Sequence, residues 1–422
     1  MSRGPQREGL VPNTFITPNW VTTDTATGFL DSTKLIGRFD RQWDDSFFNK
    51  PGGAQIGDTV QVRIEQRWTA TEGQALQQQA ILNQTVPITV NHQFNVGMGW
   101  SSAQATLEVE EVQSRYTRPA GKRLAAKWDR VAGDEVYKSV YFAVGTPGTN
   151  VALNSTWQDA VALLQEQAVP DDFIACLSPS QQATLTSSNQ ALFNPTQFIG
   201  EMFKSGKFSG AALGMREWYF DPLLPTHTTG NFTASTWAID GAAQTGTTLT
   251  VDGAGTYELN AGDIFTIDDV YSTNPLEQDL NMGRLQQFTM AADLNGSTTA
   301  TLTFTPSIVT SGALQNVNAG PANNAAITFL GSTGAVSGTL TETLSRQNLV
   351  FHPSAFAFVM VDLDRDLPGA DSGYTSDKET RVKMRWARQW NVQTDQKASR
   401  IDTIGGVAAI LPYFAVRAYG AS

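Results

Sequence analysis

The sequence has one cysteine, three histidines and little charge. A single Cys176 excludes any disulfide within the 422 residues, so packing alone must hold the fold. It lies in Phe173-Ile174-Ala175-Cys176-Leu177, where a free cysteine reads as a small core residue. His92, His227 and His352 are far apart, none at ligand spacing from another His or from Cys176. Each reads as a structural or surface histidine. No stretch nears the roughly 18 apolar residues of a membrane span. Residues 1–13 carry charge and no apolar core, so no secretory leader is expected, and the chain reads as a soluble protein made in the cytoplasm without a membrane partner. Neither G-x-S-x-G nor C-x-x-C occurs, and Ser205-Gly206-Lys207-Phe208 lacks the glycine spacing and the hydroxyl of a phosphate-binding loop. Asp362-Leu363-Asp364-Arg365-Asp366 has Leu367 where a calcium loop needs glycine, and it lacks the distal glutamate. No cofactor, metal or catalytic constellation is expected. A net charge of −11 argues against a general nucleic-acid binder.

Low charge (16 %) goes with abundant aromatics (10 %), a balance that suits a protein burying much of its surface, including against other subunits. The stretch around which the rest is organised runs from Arg118 to Val144. Leu124, Trp128, Val131/Ala132, Val136, Val140 and Val144 recur every three to five residues, predicting one helix of about seven turns with an apolar stripe. Leu124, Trp128, Val136 and Val140 are its expected core contacts. Gly133 in its middle costs about 1 kcal/mol relative to alanine, so outside support is needed.

Residues 1–50 form an arm with spaced aromatics whose six acids and six bases cancel. Residues 58–97 predict a long β-hairpin: Val60, Val62 and Ile64 alternate with Gln61, Arg63 and Glu65, and Val86–Phe94 returns, with Pro87 suited to an edge. Between them lies a polar, Gln-rich tip. Ala105, Val109, Val112 and Tyr116 predict an amphipathic helix leading into the long one. Mixed α/β character follows from 154, with a helix over 154–167, a buried strand at 173–177 and further elements at 195–203 and 211–219. Residues 231–345 then turn rich in Thr, Gly, Ala and Asn. They hold ten acids, no lysine and one base, Arg284, for nine of the chain's net negative charges. Short β runs between Gly/Asn/Asp turns predict an inserted all-β module, a small barrel. After it, Val382, Met384 and Trp386 alternate with Arg381, Lys383 and Arg385. Such a basic face usually pairs with carboxylates, with Asp362, Asp364 or the acidic insertion as candidates.

The order of parts, together with local sequence, resembles the major capsid protein of tailed bacteriophages with the HK97-like fold, and more closely the P22-like coat protein family. Ser114-Arg115-Tyr116-Thr117-Arg118-Pro119-Ala120 with Leu124–Asp129 is similar to that family's lead into its spine helix. Gly262–Ile267 with Gly283–Thr289 is similar to the inserted domain, Gln347–Phe356 to the return into the axial domain, and Asp395-Gln396 with Arg400-Ile401-Asp402 to the peripheral sheet.

The resemblance implies an α+β chain. Its parts would be an N-arm (1–50), an E-loop hairpin (51–100), a peripheral domain with the spine helix (101–150), an axial domain (151–230), the inserted β-domain (231–345) and a second axial and peripheral part (346–422). It implies self-assembly into pentamers and hexamers of an icosahedral shell in the bacterial host. Scaffolding and portal proteins would help, a decoration protein is possible, and packaged DNA would be touched only non-specifically. Expected self-association residues are Arg63, Glu65, Arg67, Trp68 and Glu72 in the E-loop and Asp268, Asp269 and Asp279 in the insertion. One relative crosslinks its shell through an E-loop lysine. Residues 58–97 contain none, which excludes that chemistry for this loop. Two readings compete: another phage structural component, such as a tail or decoration protein, and a β-rich carbohydrate-binding or hydrolase module with Asp268-Asp269 beside Tyr271.

Overall fold

A computed structural model describes residues 18–43, 59–101, 113–188, 211–376 and 381–421, apart from positions 71, 75, 77, 82, 254, 279, 334–337, 365, 366 and 368. The long helix is present but shorter than the period suggested. It runs Arg118–Val136, with Leu124, Trp128, Ala132 and Val136 buried. A single turn at Tyr137–Ser139 ends it, and Phe142–Val144 is a strand running parallel to Ala415–Ala421. Val140 is buried, yet it lies beyond the helix. The reason is in the run Val140-Tyr141-Phe142-Ala143-Val144, which is buried at every position. Residues covered on all sides suit a sheet interior, where helical spacing has no meaning.

The described chain divides into two units, and the spine helix contributes to both: Asn91–Ala125 belongs to the first and Ala126–Val359 to the second. In the first unit, Gln396–Ala409 pairs on one side with Lys383–Asn391 and on the other with His92–Ser101. Lys383–Asn391 in turn pairs with Asp371–Ser376. Helix Pro18–Leu30 crosses the start of the spine helix at two glycines. A Cβ on Gly121 would lie 2.2 Å from the Thr25 carbonyl oxygen, and one on Gly28 would lie 2.8 Å from that of Arg118. The Asp24 carboxylate ties the crossing by accepting from the Thr117 hydroxyl and, at 3.2 Å, from Arg118 Nε.

In the second unit, a six-stranded mixed sheet includes, side by side, Phe142–Val144, Ala415–Ala421, Leu344–Phe351, Ile174–Leu177 and Glu217–Phe220. Helix Asn154–Glu166 covers it through Trp157, Val161 and Leu164. Its N-cap position is Leu153, with no side-chain cap. Cys176 is fully buried in this sheet.

The hairpin is also shorter than the alternation suggested. Thr59–Arg63 pairs with Thr85–Thr89, Gln61 facing Pro87, and the partner changes at Val90 and Asn91. His92–Ser101 joins the other sheet instead. The helix expected through Ala105, Val109 and Val112 and the element expected at 195–203 lie outside the described residues.

Within 231–345, the strands Ile327–Phe329, Ile264–Thr273, Asn281–Met290, Ala300–Ile308, Gly246–Asp252 and Ala238–Ile239 lie in that order. The two outer members then meet: Ala238 bridges Ala326, Ile239 N donates to Ala325 O and Ile327 N to Trp237 O, each at 3.0 Å, so the six close into a ring. Four shorter strands form a second sheet. Phe265, Phe288, Phe304 and Phe329 fill the core, with ring centroids 5.2–5.6 Å apart.

The glycine crossing has a direct test. Replacing Gly121 with alanine forces two helices apart against a backbone carbonyl, an overpacking cost of roughly 1–3 kcal/mol that outweighs the alanine's helical preference. Urea denaturation of Gly121→Ala is expected to show a correspondingly lower midpoint. An unchanged midpoint would mean the close approach carries no strain.

Candidate functional site

The ribbon Thr59–Arg63/Thr85–Thr89 is anchored at its base and open towards its tip. Val62 and Ile88 are buried. Past the paired strands, glutamines replace the backbone ladder. Gln79 accepts from Thr69 N at 3.1 Å and donates back to Thr69 O, while Gln66 Nε2 donates to Ala80 O at 3.0 Å. The Gln-rich composition therefore extends the ribbon rather than leaving it without cross-links. Arg67 places its guanidinium 4.9 Å from the Tyr413 ring centroid, a cation–π contact that steadies the base. Arg63, Glu65 and Glu72 are exposed. Trp68 is 54 % exposed, Leu76 85 % and Ile81 73 %. Three large apolar side chains on a two-stranded ribbon are poorly tolerated in water without a partner.

Asp268 and Asp269 lie on Ile264–Thr273 where its register with Asn281–Met290 shifts, and Asp269 has φ +61°. The irregularity displays both carboxylates to solvent. Asp279 lies outside the described residues. The insertion's one base is spent internally, with Arg284 Nε 3.0 Å from Glu166 of helix Asn154–Glu166. Gln287 clamps Ala143, accepting from its N at 2.6 Å and donating to its O at 3.0 Å. Asp263 accepts from Gly230 N at 3.0 Å and from Asn260 N at 2.8 Å, and lies 2.9 Å from His227 Nε2. The fully buried Arg417 donates to Gly262 O at 3.0 Å and to Thr289 Oγ1 at 3.2 Å.

The basic strand is largely covered, and its carboxylate partner is not one of the expected candidates. Arg381 precedes the strand, Lys383 is buried, and the Arg385 side chain is only 11 % exposed. The carboxylate partner is Asp402 of the same chain, 2.9 Å from Arg385 and 2.6 Å from Arg400, while Asp364 contributes its backbone oxygen. A strand inside a sheet with both faces covered buries its polar alternates as well, and these then need internal partners.

Among the described residues no group of three His, Cys, Asp or Glu converges as a metal site. An open cleft of about 430 Å³ has Tyr141, Met290, Pro412 and Tyr413 among its lining residues, together with Lys138 and Ser139, and that lining offers no carboxylate or imidazole for acid–base chemistry.

One polar residue on the spine stripe was not singled out by sequence. Asp129 is buried and accepts from Lys34 N and Ile36 N, each at 3.0 Å, fixing the turn Ile36–Arg38. Its signal was legible: a carboxylate beside Trp128, four residues from Ala125 and three from Ala132, sits on the apolar side. Burial pushes its pKa up to about 6 despite the two backbone donors, and the neighbouring Asp221 charge adds to the rise.

No protein-family profile matches the chain, and no curated protein matches it in sequence. Several solved structures are similar across nearly its whole length. One titled "Mycobacterium phage Che8" shares 12 % identity, covering 92 % of this chain and 90 % of that one, with a TM-score of 0.47. "Capsid of Ralstonia phage GP4" shares 9 % over 93 % and 91 %, with a TM-score of 0.42. "Capsid structure of the Cyanophage P-SCSP1u" shares 12 % over 90 % and 94 %, with a TM-score of 0.40.

Asp129 gives a signed pH dependence. In the folded chain its proton is held up to about pH 6, against an ordinary value of 3.8, so the folded state binds more protons in that window. Stability is therefore expected to fall as pH rises from about 4 to 6, then level off. The slope should be shallower in Asp129→Asn, read by urea denaturation across that range. An equal slope in both proteins would remove Asp129 as its source.

Proposed function

We propose that this chain is the major capsid protein of a tailed bacteriophage, a structural subunit with no catalytic role. It forms pentamers and hexamers of an icosahedral shell around double-stranded DNA. The observation that carries the reading is the ribbon: an anchored base and a tip exposing Trp68, Leu76 and Ile81, a surface that makes sense when covered by another copy. The motifs resembling the coat-protein family, spread from residue 114 to residue 402, support it. In this reading 1–50 is the N-arm, the ribbon is the E-loop, and the ring of strands is the inserted barrel domain. Arg63, Glu65, Arg67, Trp68 and Glu72 meet a neighbouring subunit. Scaffolding and portal proteins assist assembly in the host cytoplasm, and a decoration protein is a further partner. Shell cohesion is noncovalent as far as the ribbon is concerned, because 58–97 offers no lysine. The acidic insertion faces outward, since dense negative charge is ill suited to a wall that binds packaged DNA, and Asp268, Asp269 and Asp279 contact the next capsomer.

Sedimentation and negative-stain microscopy of the purified chain, alone and with a scaffold-like neighbour protein, test the reading. Shells or capsomer rings are expected, and a monomer under every condition would overturn it. A Trp68→Ser, Leu76→Ser, Ile81→Ser triple variant should stay folded and lose assembly. Neutralising Asp268, Asp269 and Asp279 to asparagine should leave capsomers but weaken shells, and normal shells of unchanged stability would remove the insertion from the contact.

A further inference from the structure

In the second unit, strands Ile264–Thr273 and Asn281–Met290 are joined by the tip 274–280, which is tightly cross-linked. Asn274 organises it. Its side-chain oxygen accepts from Leu276 N at 2.8 Å and from Glu277 N at 3.4 Å, and its own N donates to Leu280 O at 3.2 Å. Its Nδ2 donates to Glu166 O at 2.9 Å, which ties the tip to helix Asn154–Glu166. The buried Gln278 donates to Pro275 O at 3.1 Å. Joining two antiparallel strands needs only about two residues and none of this bracing. The braced tip still leaves Leu276 77 % and Leu280 50 % exposed, with the Glu277 carboxylate also in solvent. Glu277 is in no ion pair among the described residues.

The same unit carries a surface of like apolar character and opposite charge. It is the cleft of about 430 Å³, where Met290 and Pro306 of the strand ring face Tyr141, Pro412 and Tyr413. Two cations stand at it: the exposed Lys138 is part of the lining, and the Arg67 guanidinium lies over the Tyr413 ring. Neither is in an ion pair among the described residues, and the lining holds no carboxylate. A wholly apolar partner would strip water from these cations without return. Apolar side chains that bring their own carboxylate match the cleft in both respects.

We propose that the tip 274–280 of one copy docks in this cleft of a second copy, with Leu276 and Leu280 on the apolar wall and Glu277 towards Lys138 and Arg67. The inference rests on the self-assembly reading and names the chemistry of one contact within it. The tip does not fill the cleft of its own chain, because both leucines are exposed there. Charge also decides between the ways two copies can meet. A tip against its twin opposes two carboxylates, and a cleft against its twin opposes two pairs of cations. Tip against cleft pairs them. Such a contact uses two different patches and runs head to tail, the arrangement that closes into rings when the rotation between copies allows. The bracing around Asn274 keeps the cost of ordering the tip small.

Charge reversal tests the pairing. Lys138→Glu and Glu277→Lys change exposed side chains, so each isolated chain should fold and melt as the parent does. Assembly, read by sedimentation against concentration, should need about tenfold more protein for either single variant, and the double variant should recover the parent's threshold. Leu276→Ser with Leu280→Ser should raise the threshold in the same way, without a change in melting. Hydrogen exchange should slow on assembly at 274–280 and at 409–413 together. Single reversals that assemble like the parent, or a double variant as weak as the singles, would overturn this contact while leaving the capsid reading intact. A parent chain that never assembles would overturn both. Exchange at 409–413 that is unchanged by assembly would mean that no second copy enters the cleft, and would overturn the proposal.

Discussion

The second unit depends on how the spine helix buries Trp128 and Asp129 side by side. Trp128 is fully buried with its ring centroid 5.1 Å from that of Phe358, and burial of such a side chain is worth about 1.5–3 kcal/mol. Asp129, one residue on, would be costly in the same place if left without partners. Its two oxygens instead satisfy the amides of Lys34 and Ile36, so the polar group that the apolar contact drags inward becomes the anchor of the turn after the N-terminal helix. Gly133 serves the same helix differently: a Cβ there would lie 2.9 Å from Pro225 Cδ. Its helical cost is the condition of that close approach.

The insertion is fastened by polar contacts set around a small apolar cluster of Ala143, Ile264 and Tyr419. Arg284 to Glu166, Gln287 to Ala143, and Arg417 to Gly262 and Thr289 all cross from the strand ring to the mixed sheet or its covering helix. Burial pulls the Arg417 pKa down, while Tyr419, Tyr137 and Asp263 act in the opposite direction. Because the insertion's only cation is consumed in this junction, its outward surface is left acidic without local compensation. A charge count alone shows the imbalance, and the tertiary contact shows that the one cation is directed to Glu166, outside the insertion.

Where sequence reasoning succeeded, one periodicity dominated. The core stripe from Leu124 to Val136, the alternation of Val60 and Val62 and the edge role of Pro87 all follow from a single buried face. It failed where burial came from two sides. Val140 fitted a helical interval but belongs to a run covered all round, and Arg385 was expected to find a carboxylate at Asp362, Asp364 or the insertion but pairs with Asp402. The return strand was extended through Phe94 because alternation continues there, although the partner strand changes at Val90 and Asn91.

What the sequence determined by itself was local: the helix and its stripe, the acidic and lysine-free insertion, and the missing nucleophile motifs. These depend on residue type and spacing along the chain. What the tertiary structure decided was pairing. Asp402 as the partner of Arg385, Asp129 as the anchor of residues 34–36, Arg284 against Glu166 and the closure of the six-stranded ring join residues 17 to 118 positions apart. The free energy of such contacts comes from desolvation and geometry fixed by the whole fold, and no spacing rule along the chain encodes them.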